Sequence, residues 1–347
     1  MKIIVAGDGK VGSMLVSQLS AEGHDVTVID VKPEVLESSI EHFDVMAVQG
    51  NCAAMGVLNQ AGIQEAELLI AATGADEVNL LSCMTAHGMN PALHTIARIR
   101  NPEYSDQIYK MRETFALSMT VNPEKQAAIE IERLLKFPGY LHRDTFARGR
   151  VEIAEILINE GNLICNVALN DLGKIVKSKV LVCAVLRGGK CITPDGNFVL
   201  QAGDRVFVTA STNNLATLLR DIGVITHKVK NVMICGGSRI AFYLAQRLAK
   251  SGMEVKIIEH DHDRCLRLAE QLPNVSVIHG DASSQNMLTS EGINRMDSVI
   301  TLTGLDEMNM VIAMYAKSGG VSQIVTKVGR RRNGNLMGEL ELGSVIC

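Results

Sequence analysis

The pattern that opens this chain returns in its last third, and an internal repeat of that kind dictates a repeated fold. In the first copy, Lys2 to Ala6 is a short apolar run with β-branched residues, as a buried parallel strand requires. Gly7, Gly9 and Gly12 follow at G-x-G-x-x-G spacing, and Val11, Met14, Leu15 and Leu19 then fall at helical spacing. Strand, glycine turn and helix in that order are the fingerprint of a dinucleotide site. Gly7 makes the tight turn, Gly9 leaves room for a pyrophosphate at the backbone, and Gly12 lets the helix pack closely. The helix N-terminus offers unpaired N–H groups and a partial positive charge to phosphate. Val26 to Asp30 is the next strand, ending in a carboxylate about 20 residues past the glycines, where it can accept from ribose hydroxyls. That carboxylate also repels a 2′-phosphate, which favours NAD over NADP.

The first copy continues with a helix from Pro33 to Ile40 and a strand from Val45 to Val48 that runs into Gly50, Asn51 and Cys52. A helix over Ala54 to Ala61 follows, with Asn51 as a candidate cap. Leu68 to Ala72 is the fourth strand, ending at Thr73 and Gly74 before a helix with Asp76, Glu77 and Asn79. Ile96 to Ile99 is the fifth, carrying Arg98, with Arg100 just beyond. From Asn231 the order begins again. Val232 to Cys235 is the strand, and Gly236, Gly237, Ser238, Arg239, Ile240 and Ala241 replace Gly7 to Gly12. Glu259 stands for Asp30, Asp281 and Ala282 for Asn51 and Cys52, Thr303 for Thr73, and Lys327 for Arg98.

Short strands alternating with helices mean a parallel sheet covered on both faces, with the ligand beyond the strand C-terminal ends. The fold class is therefore α/β, with two Rossmann-like, doubly wound parallel-sheet domains. Between them the pattern changes. Pro123 to Lys136 is a long helix stopped by Phe137, Pro138 and Gly139. From Val151 to Val208 apolar residues alternate between Gly-rich turns, which predicts a small α+β domain with helices over 163–170 and 213–222. The expected division is a nucleotide domain over 1–124, a linking helix over 125–143, the small domain over 144–224 and a second nucleotide domain over 229–347.

Composition excludes several classes. The net charge of −4 gives no basic face for nucleic acid. The eight cysteines are scattered, without C-x-x-C or zinc spacing, and read as small buried hydrophobes in a reducing compartment. His260 and His262 lack further ligands at useful spacing, so no metal site is expected. The N-terminus enters a strand directly, which predicts no signal peptide, and no apolar run approaches the ~20 residues of a membrane span. A soluble, cytoplasmic chain is expected.

The candidate nucleotide contacts in the first domain are Gly7, Asp8, Gly9, Lys10, Val11 and Gly12 in the loop, then Asp30 and Val31, Asn51 and Cys52, Thr73, Gly74 and Glu77, and finally Arg98 and Arg100. Arg98 and Arg100 lie two apart at a strand end, so both should face phosphate, in this subunit or a neighbour. In the second domain the candidates are Gly236, Gly237, Ser238, Arg239, Ile240, Glu259, Asp281, Ala282, Thr303 and Lys327. There Ser238 puts a Cβ where Gly9 leaves space, Glu259 is longer than Asp30, and Lys327 lacks the fork of Arg98. The second site is expected to bind more weakly than the first. The apolar stripe Ala127, Ile131, Leu134 and Leu135 is expected to pack on a second subunit. Arg330 to Arg332 reads as a solvated loop.

The opening MKIIVAGDGKVG, the VTVID end at Asp30, VQGN at Gly50, ATGADEVN from Ala72 to Asn79 and IARIRNPEY from Ile96 to Tyr104 resemble the RCK/KTN family, regulators of potassium conductance. The last two stretches are the more specific, since dehydrogenases have no need of them. The resemblance covers essentially the whole chain. It implies a regulatory subunit that binds NAD(H) or ATP/ADP without turning them over. It also implies homo-oligomers, dimers assembling into a tetrameric ring, that gate an integral-membrane Trk-type potassium channel or transporter subunit at the inner face of the cell membrane. Members carry a second small domain, which the symmetry of the pattern also asks for after residue 347. The alternative is an NAD-dependent oxidoreductase, but that needs a substrate domain with a proton-transferring group beside the nicotinamide, and the β-rich middle domain offers none.

Overall fold

The computed structural model describes residues 1–136, 140–146, 151–222, 229–329 and 342–346, so Phe137 to Gly139 and Arg330 to Arg332 lie outside the described residues. The chain divides into two compact units, Met1–Gln126 and Ala127–Cys347.

The first unit runs β1 (Lys2–Ala6), α1 (Lys10–Ala21), β2 (Asp25–Asp30), α2 (Pro33–His42), β3 (Met46–Gln49), α3 (Met55–Gln60), β4 (Leu68–Ala71), α4 (Asp76–Met89), β5 (His94–Arg98), α5 (Pro102–Lys110) and β6 (Met119–Val121). The start of α6 (Pro123–Lys136) follows, capped by Asn122, whose Oδ1 accepts from the Lys125 amide at 2.9 Å. All pairings are parallel, in the order β3-β2-β1-β4-β5-β6, so the strand order reverses between β1 and β4. Strand alternation fills both faces. Ile3, Val5 and Val28 pack with Val16 of α1 and Leu36 of α2 on one side; Ile4, Ala6 and Ile29 pack with Leu58 of α3 and Cys83 and Ala86 of α4 on the other.

In the second unit, β7 (Tyr140–Phe146), β8 (Val151–Leu157), β9 (Leu181–Arg187), β10 (Lys190–Ile192) and β11 (Arg205–Ala210) form an antiparallel sheet in the order β10-β9-β11-β8-β7, against which α7 (Thr212–Asp221) packs. The segment expected to link the domains over 125–143 thus divides into most of α6 and the first half of β7. The expected helix over 163–170 does not form. Asn166 adopts φ +63°, and its amide donates to the Leu200 carbonyl at 2.7 Å, while the Leu200 amide donates to Val167 and that of Leu169 to Phe198. Pairing with 198–200 replaces the local helical bonds, and a 3-10 turn over Leu169–Lys174 follows.

The repeat then runs β12 (Asn231–Cys235), α8 (Arg239–Lys250), β13 (Glu254–Glu259), α9 (His262–Gln271), β14 (Ser276–His279), α10 (Gln285–Ser290), β15 (Ser298–Thr301), α11 (Asp306–Ser318), β16 (Gln323–Lys327) and β17 (Ser344–Ile346). Its order, β14-β13-β12-β15-β16-β17, reproduces that of the first sheet strand for strand.

The stripe on α6 is used differently from expectation. Ala128, Ile131 and Leu135 are buried in one core with Leu244, Ala245 and Leu248 of α8, and Leu134 packs against it. Glu132, also buried, accepts from Arg247 Nε at 2.5 Å and Lys136 Nζ at 2.7 Å. Burial pushes its carboxyl up, but those two cations outweigh burial and hold it below the usual carboxylate range. The same chain covers the stripe, so it gives no ground for a second subunit. Among the described residues, no helix is long and apolar enough to cross a membrane.

Candidate functional site

The first site gathers at the point where the strand order reverses. Gly7 has φ +96°, and a Cβ there would lie 2.8 Å from the Thr73 backbone, so only glycine passes between β1 and β4. A Cβ on Gly12 would fall 1.8 Å from the Gly7 carbonyl oxygen, so this glycine lets α1 close on the turn itself. Gly9 is the N-cap of α1, without a side-chain cap and with nothing within 4 Å of its missing Cβ. The first turn of α1 therefore faces open space, with Lys10 exposed and Val11 half-buried.

Asp30 organises the loop. Its Oδ2 accepts from the Asp8 amide at 2.7 Å and its Oδ1 from the Lys32 amide at 2.9 Å, while the Asp30 carbonyl accepts from Gly50 at 2.9 Å. Asp8 is itself buried, with Ser39 Oγ donating to its Oδ2 at 2.7 Å. Burial pushes the Asp8 carboxyl up; the Ser39 hydrogen bond opposes this and the Asp30 charge adds to it. Val31 is exposed at the rim. Asn51 Oδ1 accepts from the Ala53 amide at 3.0 Å, an Asx turn rather than the expected helix cap. Cys52 points inward, its Sγ accepting from Ser82 Oγ at 3.1 Å, and burial raises its thiol.

The far wall depends on a residue to which sequence reasoning gave no role. Asn79 is fully buried. Its Oδ1 accepts from the Thr73 amide at 2.8 Å and the Thr73 hydroxyl at 2.7 Å, and its Nδ2 donates to the Arg98 carbonyl at 2.8 Å. It thus ties the ends of β4 and β5 together. Asp76 is likewise a clamp, accepting from the Arg100 and Asn101 amides, both at 2.7 Å. The signal was the recurrence of both residues as Asp306 and Asn309 in the second copy.

The arginines are paired rather than aimed jointly at open space. Arg98 meets Glu124 at 2.9 Å; Arg100 lies 3.4 Å from Asp76 and donates to the Gly74 carbonyl. Glu77 accepts from the Tyr104 hydroxyl at 2.7 Å in a groove between α4 and α5, which separates it from the loop. The hydrogen bond lowers the Glu77 carboxyl and raises the Tyr104 hydroxyl.

The second domain holds a cleft of about 500 Å³ at the same point, lined by Gly236, Gly237, Ser238, Glu259, Asp281, Ala282, Thr303 and Lys327 among others. Arg239 is exposed at the start of α8, and Ile240 packs into the core beneath. Asn309 repeats the clamp, accepting from Thr303 and donating to the Lys327 carbonyl at 2.9 Å. Ser238 caps α8, its Oγ accepting from the Ala241 amide at 3.3 Å. Glu259 reaches the same two amides as Asp30, Gly237 at 2.6 Å and Asp261 at 2.9 Å, so its extra methylene does not misplace the carboxylate. The change is absorbed at Gly237, where a Cβ would lie 2.8 Å from Glu259 Oε2 and 2.7 Å from Leu268. Asp8, Asp30 and Ser39 are thus replaced as a set by Gly237, Glu259 and Leu268.

Residues 3–119 and 232–347 match the TrkA-N domain family, and 153–223 match the TrkA-C domain. Two relatives are the Trk system potassium uptake protein TrkA of Haemophilus influenzae, 34% identical over 95% of this chain and 72% of that protein, and a TrkA homolog of Archaeoglobus fulgidus, 35% identical over 95% and 74%. The fold is shared with the GsuK RCK domain (TM-score 0.73, 19% identity, 99% of this chain and 73% of that one). It is also shared with the GsuK channel bound to NAD (0.72, 19%, 99% and 61%) and with GsuK bound to ADP (0.61, 14%, 99% and 65%). The chain therefore belongs to the TrkA family, with two TrkA-N domains on either side of a TrkA-C domain.

Proposed function

We propose that this protein is a cytosolic regulatory subunit of a Trk-type potassium uptake system, binding NAD(H) or ATP/ADP and controlling an integral-membrane partner from the inner face of the membrane. The observation that carries this is the loop held open by its own strand end. Asp30 accepts from the amides of Asp8 and Lys32, and the N-cap of α1 is a bare glycine facing space. A diphosphate there would meet α1 amides and the positive end of its dipole, with Asp30 beside the ribose. The family membership, and a structural neighbour bound to NAD, support the same reading. Assembly as a homo-oligomeric ring belongs to the proposal. The domain that binds is read as 1–124, with 229–347 as its second copy.

Calorimetric titration with NAD, NADH, ADP and ATP tests it. Asp30→Ala should weaken all of them together by roughly 1.5–3 kcal/mol, because all share the adenosine ribose. Unchanged affinity for every nucleotide would remove Asp30 from the site. Steady oxidation of NADH by the purified protein with a carbonyl substrate would instead make it a dehydrogenase.

A further inference from the structure

The two nucleotide domains share one scaffold but differ where the ribose end of a nucleotide would lie. In the first domain that end is formed by Asp30 and Val31, with Val35 in the first turn of α2. The same places in the second hold Glu259, His260 and Arg264, the last in the first turn of α9.

Glu259 is only 2% exposed. Its oxygens are occupied by the Gly237 and Asp261 amides, with His260 Nδ1 2.9 Å from Oε1 and the Arg264 guanidinium 3.6 Å from Oε2. The carboxylate is thus enclosed in the wall. What the wall presents is a guanidinium with an imidazole beside it: the side chains of Arg264 and His260 are 45% and 79% exposed, and both line the cleft. Of the nearby acids, Asp281 also lines the cleft and the others are engaged outside it. Asp261 accepts from the Arg264 amide at 2.8 Å as the cap of α9, Asp281 accepts from the Ser283 amide at 2.8 Å, and Asp263 lies beside His262. Arg267 adds further positive charge next to Asp261.

An accessible carboxylate at this position reads a free ribose 2′-hydroxyl, whereas an arginine there accommodates a 2′-phosphate. A guanidinium suits phosphate because its planar fork matches two oxygens at once. We propose that the second cleft takes an adenine nucleotide with a phosphate on its ribose 2′-oxygen, of the NADP(H) type, while the first takes the unphosphorylated ribose. This rests on reading both clefts as nucleotide sites. The duplicated domains then respond to different nucleotide pools, instead of one being a weaker copy of the other.

Hydrogen-exchange mass spectrometry on the full chain separates the two clefts, because peptides over 7–31 and 236–265 report them independently. NADP should protect 236–265 at a concentration about tenfold or more below that needed with NAD, and NAD should protect 7–31 in preference to NADP. Arg264→Ala should raise the NADP concentration needed at 236–265 about tenfold or more while leaving unchanged both NAD protection of 7–31 and the ligand-free exchange of 236–265, the latter showing that the second domain still folds. Arg264→Gln, which keeps the bulk, should behave alike. NAD matching NADP at 236–265, or NADP binding there indifferent to both variants, overturns the proposal. So does equal protection by adenosine 3′,5′-bisphosphate and adenosine 2′,5′-bisphosphate. Absence of protection by any nucleotide at either cleft fails the underlying reading of the sites, and this inference with it.

Discussion

Asn79→Ala is the perturbation that most directly tests how the cleft is built. The side chain is fully buried and joins the Thr73 amide to the Arg98 carbonyl. Alanine leaves both groups without that partner, while the Thr73 hydroxyl keeps the Ala75 carbonyl at 3.2 Å. Each buried backbone group left unsatisfied costs about 1–3 kcal/mol, so the pair sums to about 2–6 kcal/mol. That is a large part of the ~5–15 kcal/mol by which a domain is stable. The effect should stay local, because Asn309 clamps the other copy separately. Urea titrations read by hydrogen exchange would resolve it, with Asn79→Ala lowering the midpoint for peptides over 68–83 and Asn309→Ala for those over 298–313. A shift below about 1 kcal/mol in both would show that water or a repacked neighbour replaces the amide, and that the clamp does not hold the cleft together.

Gly237→Asp should destabilise the second domain by about 1–3 kcal/mol in chemical denaturation, since even a Cβ collides with Leu268 and Glu259, and adding Leu268→Ser and Glu259→Asp should recover most of it. In the small domain, Arg187 grips Asp204 with two bonds of 2.6 Å and holds its carboxyl below the ordinary range despite burial. With the folded value depressed, that stabilisation is complete above the unfolded value of about 3.9 and is lost as pH falls through the folded one. An acid titration followed by circular dichroism should therefore show a transition that Asp204→Asn flattens. Because Arg98 is paired with Glu124 and Arg100 with Asp76, replacing both by Ala should weaken ATP and NAD binding alike; a larger calorimetric loss for ATP would show that the pairs open to read terminal phosphates. Ser238→Gly should cost only a few tenths of a kcal/mol in thermal unfolding while tightening diphosphate binding at 236–239, since it frees the amide that Ser238 now occupies.

The sheets were legible because each strand is a short apolar run closed by a residue of special chemistry: glycine after β1, a carboxylate at β2, threonine after β4. β6 was missed because Met119–Val121 is three exposed residues, too short and too wet for any periodic pattern. The segment over 163–170 looked helical because its apolar spacing is real, but its amides find the 198–200 backbone. Tertiary pairing overrode a weak local preference. The α6 stripe was correctly seen as a buried face, but a one-dimensional pattern names no partner, and the partner is α8 of the same chain. At the site, sequence located Asp30 and Thr73 by position. It could not show that Asp30 spends both oxygens on main-chain amides, that Arg98 faces Glu124, or that Glu77 turns to Tyr104.

The exchange of Asp8, Asp30 and Ser39 for Gly237, Glu259 and Leu268 limits how genetic information can pass between the two halves. A gene holding two copies of a domain is open to conversion, in which a tract of one copy overwrites the other. A tract carrying Asp8 into position 237 without its companions would drive a side chain into Leu268, and one carrying Glu259 into position 30 would push the longer carboxylate toward Asp8. Only tracts spanning the loop, the end of β2 and the middle of α2 together preserve packing. Short conversions would therefore cost stability, and the packing of the loop against the strand end resists any mixing of the two sets.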